Sequence, residues 1–188
     1  MTDRIEIVRG LAMPFFPMRP TTGSRIHNAA SAQRLLQQVA AGTYIMQPKL
    51  GGDRACLAVH NDRVLVQNRH GGWYSHPVLN QRDFLKLGNG CVLDGEVFER
   101  AFYPFETLAY MGKSLLRASA AEREALAFSL VRLLGHPWIF NAPSLVWLQK
   151  RTQHGKKWEG VVMKRSISPY IPACSDTTAS LHWFRHLW

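Results

Sequence analysis

Four short segments carry residue types able to do chemistry on a phosphate. In the first, Gln47-Pro48-Lys49-Leu50-Gly51-Gly52-Asp53-Arg54, a lysine follows the apolar run Tyr44-Ile45-Met46 and precedes two glycines and an arginine. A lysine amine attacks only when neutral. With an ordinary pKa of about 10.4, roughly one free lysine in a few thousand is deprotonated at pH 7. Burial and a neighbouring cation lower that value, and Arg54 stands close enough in sequence to be the cation. The glycines would let backbone approach a ligand. The same segment also suits a surface lysine beside a hairpin turn.

The second segment, Asn68-Arg69-His70-Gly71-Gly72, places an arginine before glycines at the end of an apolar run. Its forked guanidinium suits phosphate or ribose oxygens, and a polar turn accounts for the residues equally well. In the third, Leu93-Asp94-Gly95-Glu96-Val97, two carboxylates one residue apart on a strand share a face and could bind Mg²⁺ or ribose hydroxyls. Asp-Gly is also a common hairpin turn. In the fourth, Glu159-Gly160-Val161-Val162-Met163-Lys164, the end residues are five apart and face opposite ways on a regular strand. A bulge at Gly160 would bring both to one ligand.

Elements must position these groups. Residues 1–22, rich in proline and methionine, predict an extended lead-in. Residues 30–41 predict a helix stopped by Gly42, and 43–48, 54–60 and 63–68 predict strands, the last two joined at Asn61-Asp62. Further strands are expected at 92–98, 103–110 and 159–164. Leu126, Leu130, Leu133 and Leu134 give 119–134 the clearest helical spacing. Short antiparallel strands with two helices argue for an α+β fold rather than a doubly wound sheet.

The 188 residues are 46% hydrophobic, which suits a folded chain, and the formal charge of +10 favours a polyanionic partner, nucleic acid first. Three scattered cysteines lack CxxC spacing, so a zinc site is not expected and a reducing compartment is. No histidine pairs at HxxxH or HExxH spacing with a carboxylate. His60, His70, His76 and His136 read as turn or core-edge residues, Trp138 and Trp147 as core, and Trp73 as a surface contact. Lys150-Arg151 and Lys156-Lys157 read as a basic loop or a backbone contact for DNA. There is no apolar run of membrane-spanning length and no secretory signal, so the expected location is the cytoplasm.

In order along the chain, the KxxGxR spacing at Lys49, Asn68-Arg69-His70-Gly71, the Asp94-Gly95-Glu96 triplet, Phe105-Glu106 and Glu159–Lys164 strongly resemble the covalent nucleotidyltransferase superfamily of ATP-dependent DNA ligases, RNA ligases and mRNA capping enzymes. The likeness is greatest to small bacterial and phage DNA ligases and runs from about Pro17 to the C-terminus. The resemblance implies an ATP-grasp-like nucleotidyltransferase domain over 1–188, its antiparallel sheets flanked by helices; the OB-fold domain that normally follows in the family is not expected here. It implies ATP and Mg²⁺ as cofactors and Lys49 as the nucleophile that takes AMP. Gln47, Pro48, Leu50, Arg54, Arg69, Glu96, Phe105, Lys164 and Arg185 would contact the nucleotide, with Phe105 stacking on adenine and Lys164 touching the α-phosphate. Glu96 and Glu159 would assist the metal.

The implied function is a polynucleotide ligase sealing nicked duplex DNA through lysyl-AMP and an AMP-capped 5′-phosphate. An RNA ligase or capping-type enzyme is the alternative, and a weakened nucleic-acid-binding protein that needs a partner domain is the third reading. The chain is expected to be a monomer. Three departures weigh on catalysis. Gly51 stands where the family usually has aspartate, with Asp53 as a candidate substitute. In the C-terminal WxKxK motif, Arg185 matches the first lysine in charge and Leu187 replaces the second. The basic stretch that often follows a YxP segment is missing after Tyr170-Ile171-Pro172.

Overall fold

The computed structural model describes residues 4–75, 79, 81–135, 152–153, 156–175 and 178–188. His76, His136, Trp138, Trp147, Lys150 and Arg151 lie outside the described residues. The described chain is α+β, as the strand and helix pattern predicts, and most of its strands belong to two sheets.

The larger sheet has the order β6-β5-β7-β8-β9, formed by Arg63–Asn68, Asp53–His60, Cys91–Phe98, Ala101–Tyr110 and Lys113–Ser114. Every pairing in it is antiparallel. The β5–β6 connection is the expected two-residue turn. Asn61 and Asp62 take φ of 48° and 57°, the left-handed conformation that lets a tight turn follow the strand twist. The Asp94-Gly95 hairpin alternative fails, because both residues lie inside β7.

The smaller sheet has the order β3-β13-β12-β4, formed by Pro20–Thr22, Ser180–Leu187, Gly160–Arg165 and Tyr44–Lys49. It is mixed rather than purely antiparallel, since β13 runs parallel to β3. Strand β4 sits at its edge, which is how Pro48, with no N–H to give a second neighbour, fits inside a strand.

The residue alternation of the larger sheet is buried on both faces. Ala55, Leu57, Val59, Cys91 and Leu93 meet Phe84 of α2 (Gln81–Leu85) and Leu130 of α3 (Ala120–Leu134). Cys56, Ala58, Val92 and Leu108 meet Ile7, Val8, Leu11 and Met13. Those last four residues correct the expectation of a simple extended lead-in. Ile5–Val8 (β1) and Leu11–Met13 (β2) form an antiparallel hairpin that covers the sheet, because their apolar residues have a whole face to bury. On the smaller sheet, α1 (Ala29–Ala40) packs Ala32 and Leu35 against Met46, Val161 and Met163. Both long helices carry N-terminal capping boxes. Asn28 and Ser31 close α1, Ser119 and Glu122 close α3, and Gly135 ends α3 at φ 68°. A two-stranded ribbon, β10 (Thr152–Gln153) with β11 (Lys156–Lys157), completes the described strands. No described helix is long and apolar enough to cross a membrane.

A buried carboxylate joins the two sheets. Glu106 on β8 accepts hydrogen bonds from Arg123 Nε of α3 at 3.0 Å and from Lys164 Nζ of β12 at 3.1 Å, and all three side chains are inaccessible or nearly so. Arg123 also donates to the carbonyls of Ala118 and Ser168. A Glu106→Gln substitution keeps the shape but leaves two cations without their shared anion. The expected outcome is a loss of about 3–5 kcal/mol of stability, read as a fall in the urea midpoint.

Candidate active site

A cavity of about 980 Å³ lies between the two sheets and gathers nearly all the chemistry-bearing side chains. The smaller sheet supplies Gln47, Pro48 and Lys49 from β4, Val162 and Lys164 from β12, and Trp183 and Arg185 from β13. The larger sheet supplies Arg54 from β5, Asn68 at the end of β6, Glu96 from β7 and Phe105 from β8. Leu50, Arg69 and Glu159 line it as well. Every residue that the resemblance places in the site therefore borders one volume, although the positions span residues 47 to 185.

Lys49 ends β4, and its ammonium donates to the Glu159 carboxylate. This corrects the expected setting of the lysine. A carboxylate rather than a cation faces Nζ, because Arg54 is turned to Asp94. Arg54 donates through Nε to Asp94 Oδ1 at 2.6 Å and through Nη2 to Oδ2 at 2.5 Å, a forked pair. Tyr170 Oη at 2.8 Å and Cys56 Sγ at 3.2 Å also donate to Asp94. Burial alone would raise the Asp94 carboxyl, but the Arg54 charge and these hydrogen bonds outweigh it and hold the group below the usual carboxylate range. Burial would lower the Arg54 guanidinium, and Asp94 carries it above its ordinary value. Asp94 is thus spent inside the protein, and of the Asp94/Glu96 pair Glu96 lines the cavity.

Glu96 accepts the Gly52 N–H at 2.9 Å and so holds the loop after Lys49. Burial pushes its carboxyl up, opposed by Arg54, the Gly52 N–H and Lys49. Both glycines lie close against other parts of the protein. A Cβ on Gly51 would stand 2.5 Å from Glu159 Oε1, and one on Gly52 would collide with the Val97 carbonyl. The space of a side chain at 51 is taken by Glu159, and this carboxylate, not Asp53, is the one on Lys49. No bulge at Gly160 is needed. β12 pairs in unbroken register with both neighbours, and Glu159 stands in the bend before it, its N–H bonded to the Lys49 carbonyl at 2.9 Å.

Lys164 lines the cavity from below. It is 1% exposed, and its Nζ lies 4.1 Å from the Trp183 ring centroid and 5.4 Å from that of Phe105. Burial lowers its ammonium, and Glu106 opposes the shift. Phe105 also carries the Arg54 guanidinium at 5.1 Å from its centroid. The Gln47 amide donates to the Phe105 carbonyl at 3.2 Å and to Glu124 Oε1 at 2.7 Å, fixing the edge of β4 to β8 and α3. Arg69 projects from a loop tied by Asn68, whose Oδ1 accepts the N–H groups of His70 and Gly72, and its Nε donates to His70. Arg185 donates to Thr22 Oγ1 at 3.1 Å.

Sequence reasoning missed Trp183, Thr22 and Tyr170 as parts of the site. The alternation along Leu181–Leu187 could have placed Trp183 beside Arg185 on one face of a strand. Nothing local announces that the Tyr170 hydroxyl reaches Asp94. No group of three histidine, cysteine or carboxylate side chains that could hold a metal occurs among the described residues. Glu96 and Glu159, both oxygen donors on one cavity, suit a hard cation that keeps waters and takes its remaining ligands from phosphates.

No protein-family model and no curated protein matches the chain. Solved structures do. A mycobacterial DNA ligase D complexed with ATP is 21% identical at a TM-score of 0.70, over 92% of this chain and 60% of its own. The ligase domain of LigD from M. tuberculosis is 19% identical at a TM-score of 0.62, over 91% and 58%. This chain thus spans about three-fifths of the length of these relatives.

Asp94→Asn is expected to cost about 3–5 kcal/mol by leaving Arg54 without its anion. Because the folded pKa of Asp94 is depressed, its contribution is full above about pH 4 and fades as pH falls through the lowered value. The stability of the variant, followed by urea midpoint against pH, should therefore fall less steeply in acid than that of the parent. Together the two sheets and the cavity between them give this chain the fold of the ATP-dependent ligase nucleotidyltransferase domain.

Proposed function

We propose that the chain is the nucleotide-transferring part of an ATP-dependent polynucleotide ligase that seals nicked DNA. The observation that carries this reading is the convergence of Lys49, Arg54, Glu96, Phe105, Glu159, Lys164 and Arg185 on one inter-sheet cavity, in a fold shared with ligase domains. ATP is the proposed donor and Mg²⁺ the proposed metal, with Glu96 and Glu159 as the residues that would hold it. When bound, the metal would neutralise phosphate charge.

In the first step the Lys49 amine attacks the α-phosphorus of ATP. An N–P bond forms, the bond from Pα to the bridging oxygen breaks, pyrophosphate leaves and the amine loses its proton. The Glu159 carboxylate, already on Nζ, is the group placed to take the ammonium's first proton and so free the amine for attack, and the proton lost as the N–P bond forms passes to solvent. Lys164 and Arg185 offer positive charge to the phosphates, and the Phe105 ring offers a face for adenine stacking. The AMP then passes to a 5′-phosphate, and attack by a 3′-hydroxyl completes the seal and releases AMP. An RNA end can enter the same sequence of steps, so RNA joining is the alternative.

Incubation with ATP and Mg²⁺ should add one AMP, about 329 Da, to the intact mass of the parent and nothing to Lys49→Ala. No gain on protein first freed of bound AMP would remove the autonomous ligase reading. Glu159→Gln should slow the gain about 10²-fold or more without abolishing it, measured as the single-turnover rate of adenylylation.

A further inference from the structure

We infer that a second, basic cleft on the far face of the smaller sheet binds the phosphodiester backbone of a nucleic acid. The inference rests on the ligase reading for its choice of polyanion. The cleft, about 430 Å³, is lined by Ser24, Arg25, His27, Ser31, Arg34 and His186, with no carboxylate among its residues. Arg25, His27 and Arg34 are exposed, and no described carboxylate pairs with them. The chain around it is depleted of acid: from residue 7 to residue 52 there are five arginines and lysines and no aspartate or glutamate. The first turn of α1 also lacks the acidic residue that its dipole would favour. Asn28 and Ser31 already cap that helix, so the attraction for an anion comes from the side chains of the cleft.

The cleft is a formed feature. Gly23 leaves room for the His186 ring, since a Cβ there would stand 2.5 Å from Cε1. His186 Nδ1 lies 2.8 Å from the Ser24 carbonyl, which fixes the ring at the wall. The position ties the cleft to the active site. Arg185 faces the nucleotide cavity, and the next residue on β13, His186, faces the cleft. Beside them runs the edge strand β3, with Gly23 N–H bonded to the Arg185 carbonyl at 2.8 Å. A polynucleotide leaving the cavity past Thr22 crosses that edge and meets Arg25 and Arg34.

The test compares the parent with an Arg25→Ala/Arg34→Ala variant. It uses nicked duplex DNA, with phosphatidylserine vesicles and inorganic phosphate as other anions. An Arg9→Ala/Arg63→Ala variant controls for total charge. DNA affinity should fall about tenfold or more in the cleft variant only, and its log–log salt slope should shrink by about 2, while adenylylation of Lys49 proceeds as in the parent. Unchanged affinity and slope would overturn the inference, as would an equal loss in the control, or arginine-dependent binding to vesicles or free phosphate without binding to DNA. Failure of the parent to take AMP would instead remove the ligase reading, and the cleft would still be judged by DNA binding, which needs no adenylylation.

Discussion

The structure depends on one carboxylate with no access to water. Glu106 holds Arg123 and Lys164, and these three residues come from β8, α3 and β12. Two cations on one anion in a dry interior are costly to arrange and costlier to leave unpaired, so the geometry between the sheets is narrowly set. Lys164 is thereby fixed beneath the cavity with its ammonium against Trp183 and Phe105. A second buried pair, Arg54 with Asp94, repeats the device on β5 and β7 and recruits Tyr170 from the segment before β13. Two of the positive groups that face the cavity, Arg54 and Lys164, are therefore held by charge pairs behind it.

That arrangement suits phosphate chemistry. Transfer of a nucleotidyl group asks little of acids and bases and much of fixed positive charge. Here Lys164 and Arg54 are locked from behind, whereas Lys49 and Glu159 meet at the cavity wall, where Glu159 is more than half exposed. The contrast separates a rigid positive floor from a lysine–carboxylate contact that a ligand can displace. Gly51 belongs to the same logic, because the space a side chain would fill there is the space Glu159 uses.

The residue types at the site were legible in order along the chain. Lys49, Arg69, Glu96, Phe105, Glu159, Lys164 and Arg185 each stand in a short pattern, and the two long helices were legible from the Gly42 stop and from leucine spacing. Strands β4 to β8 and β12 were legible from apolar runs and turns. The hairpin of β1 and β2 was not, since three-residue and four-residue strands among prolines carry too little periodicity to read. The parallel pairing of β3 with β13 was hidden for another reason: it joins segments about 160 residues apart.

The sequence by itself determined which side chains were available, the α+β character and the excess of positive charge. Local spacing, caps and composition carry all of these. Only the tertiary structure decided what each charge faces. Arg54 was expected to be the cation beside Lys49 and is the partner of Asp94 instead. Glu159 was expected to need a bulge and reaches Lys49 from a bend. At Gly51 and Gly52, a Glu159 oxygen and the Val97 carbonyl lie where a Cβ would stand. The physical reason is common to all three. A charge takes the partner that burial leaves within a few ångströms, and that partner is set by strand pairing across the fold rather than by neighbours in the chain.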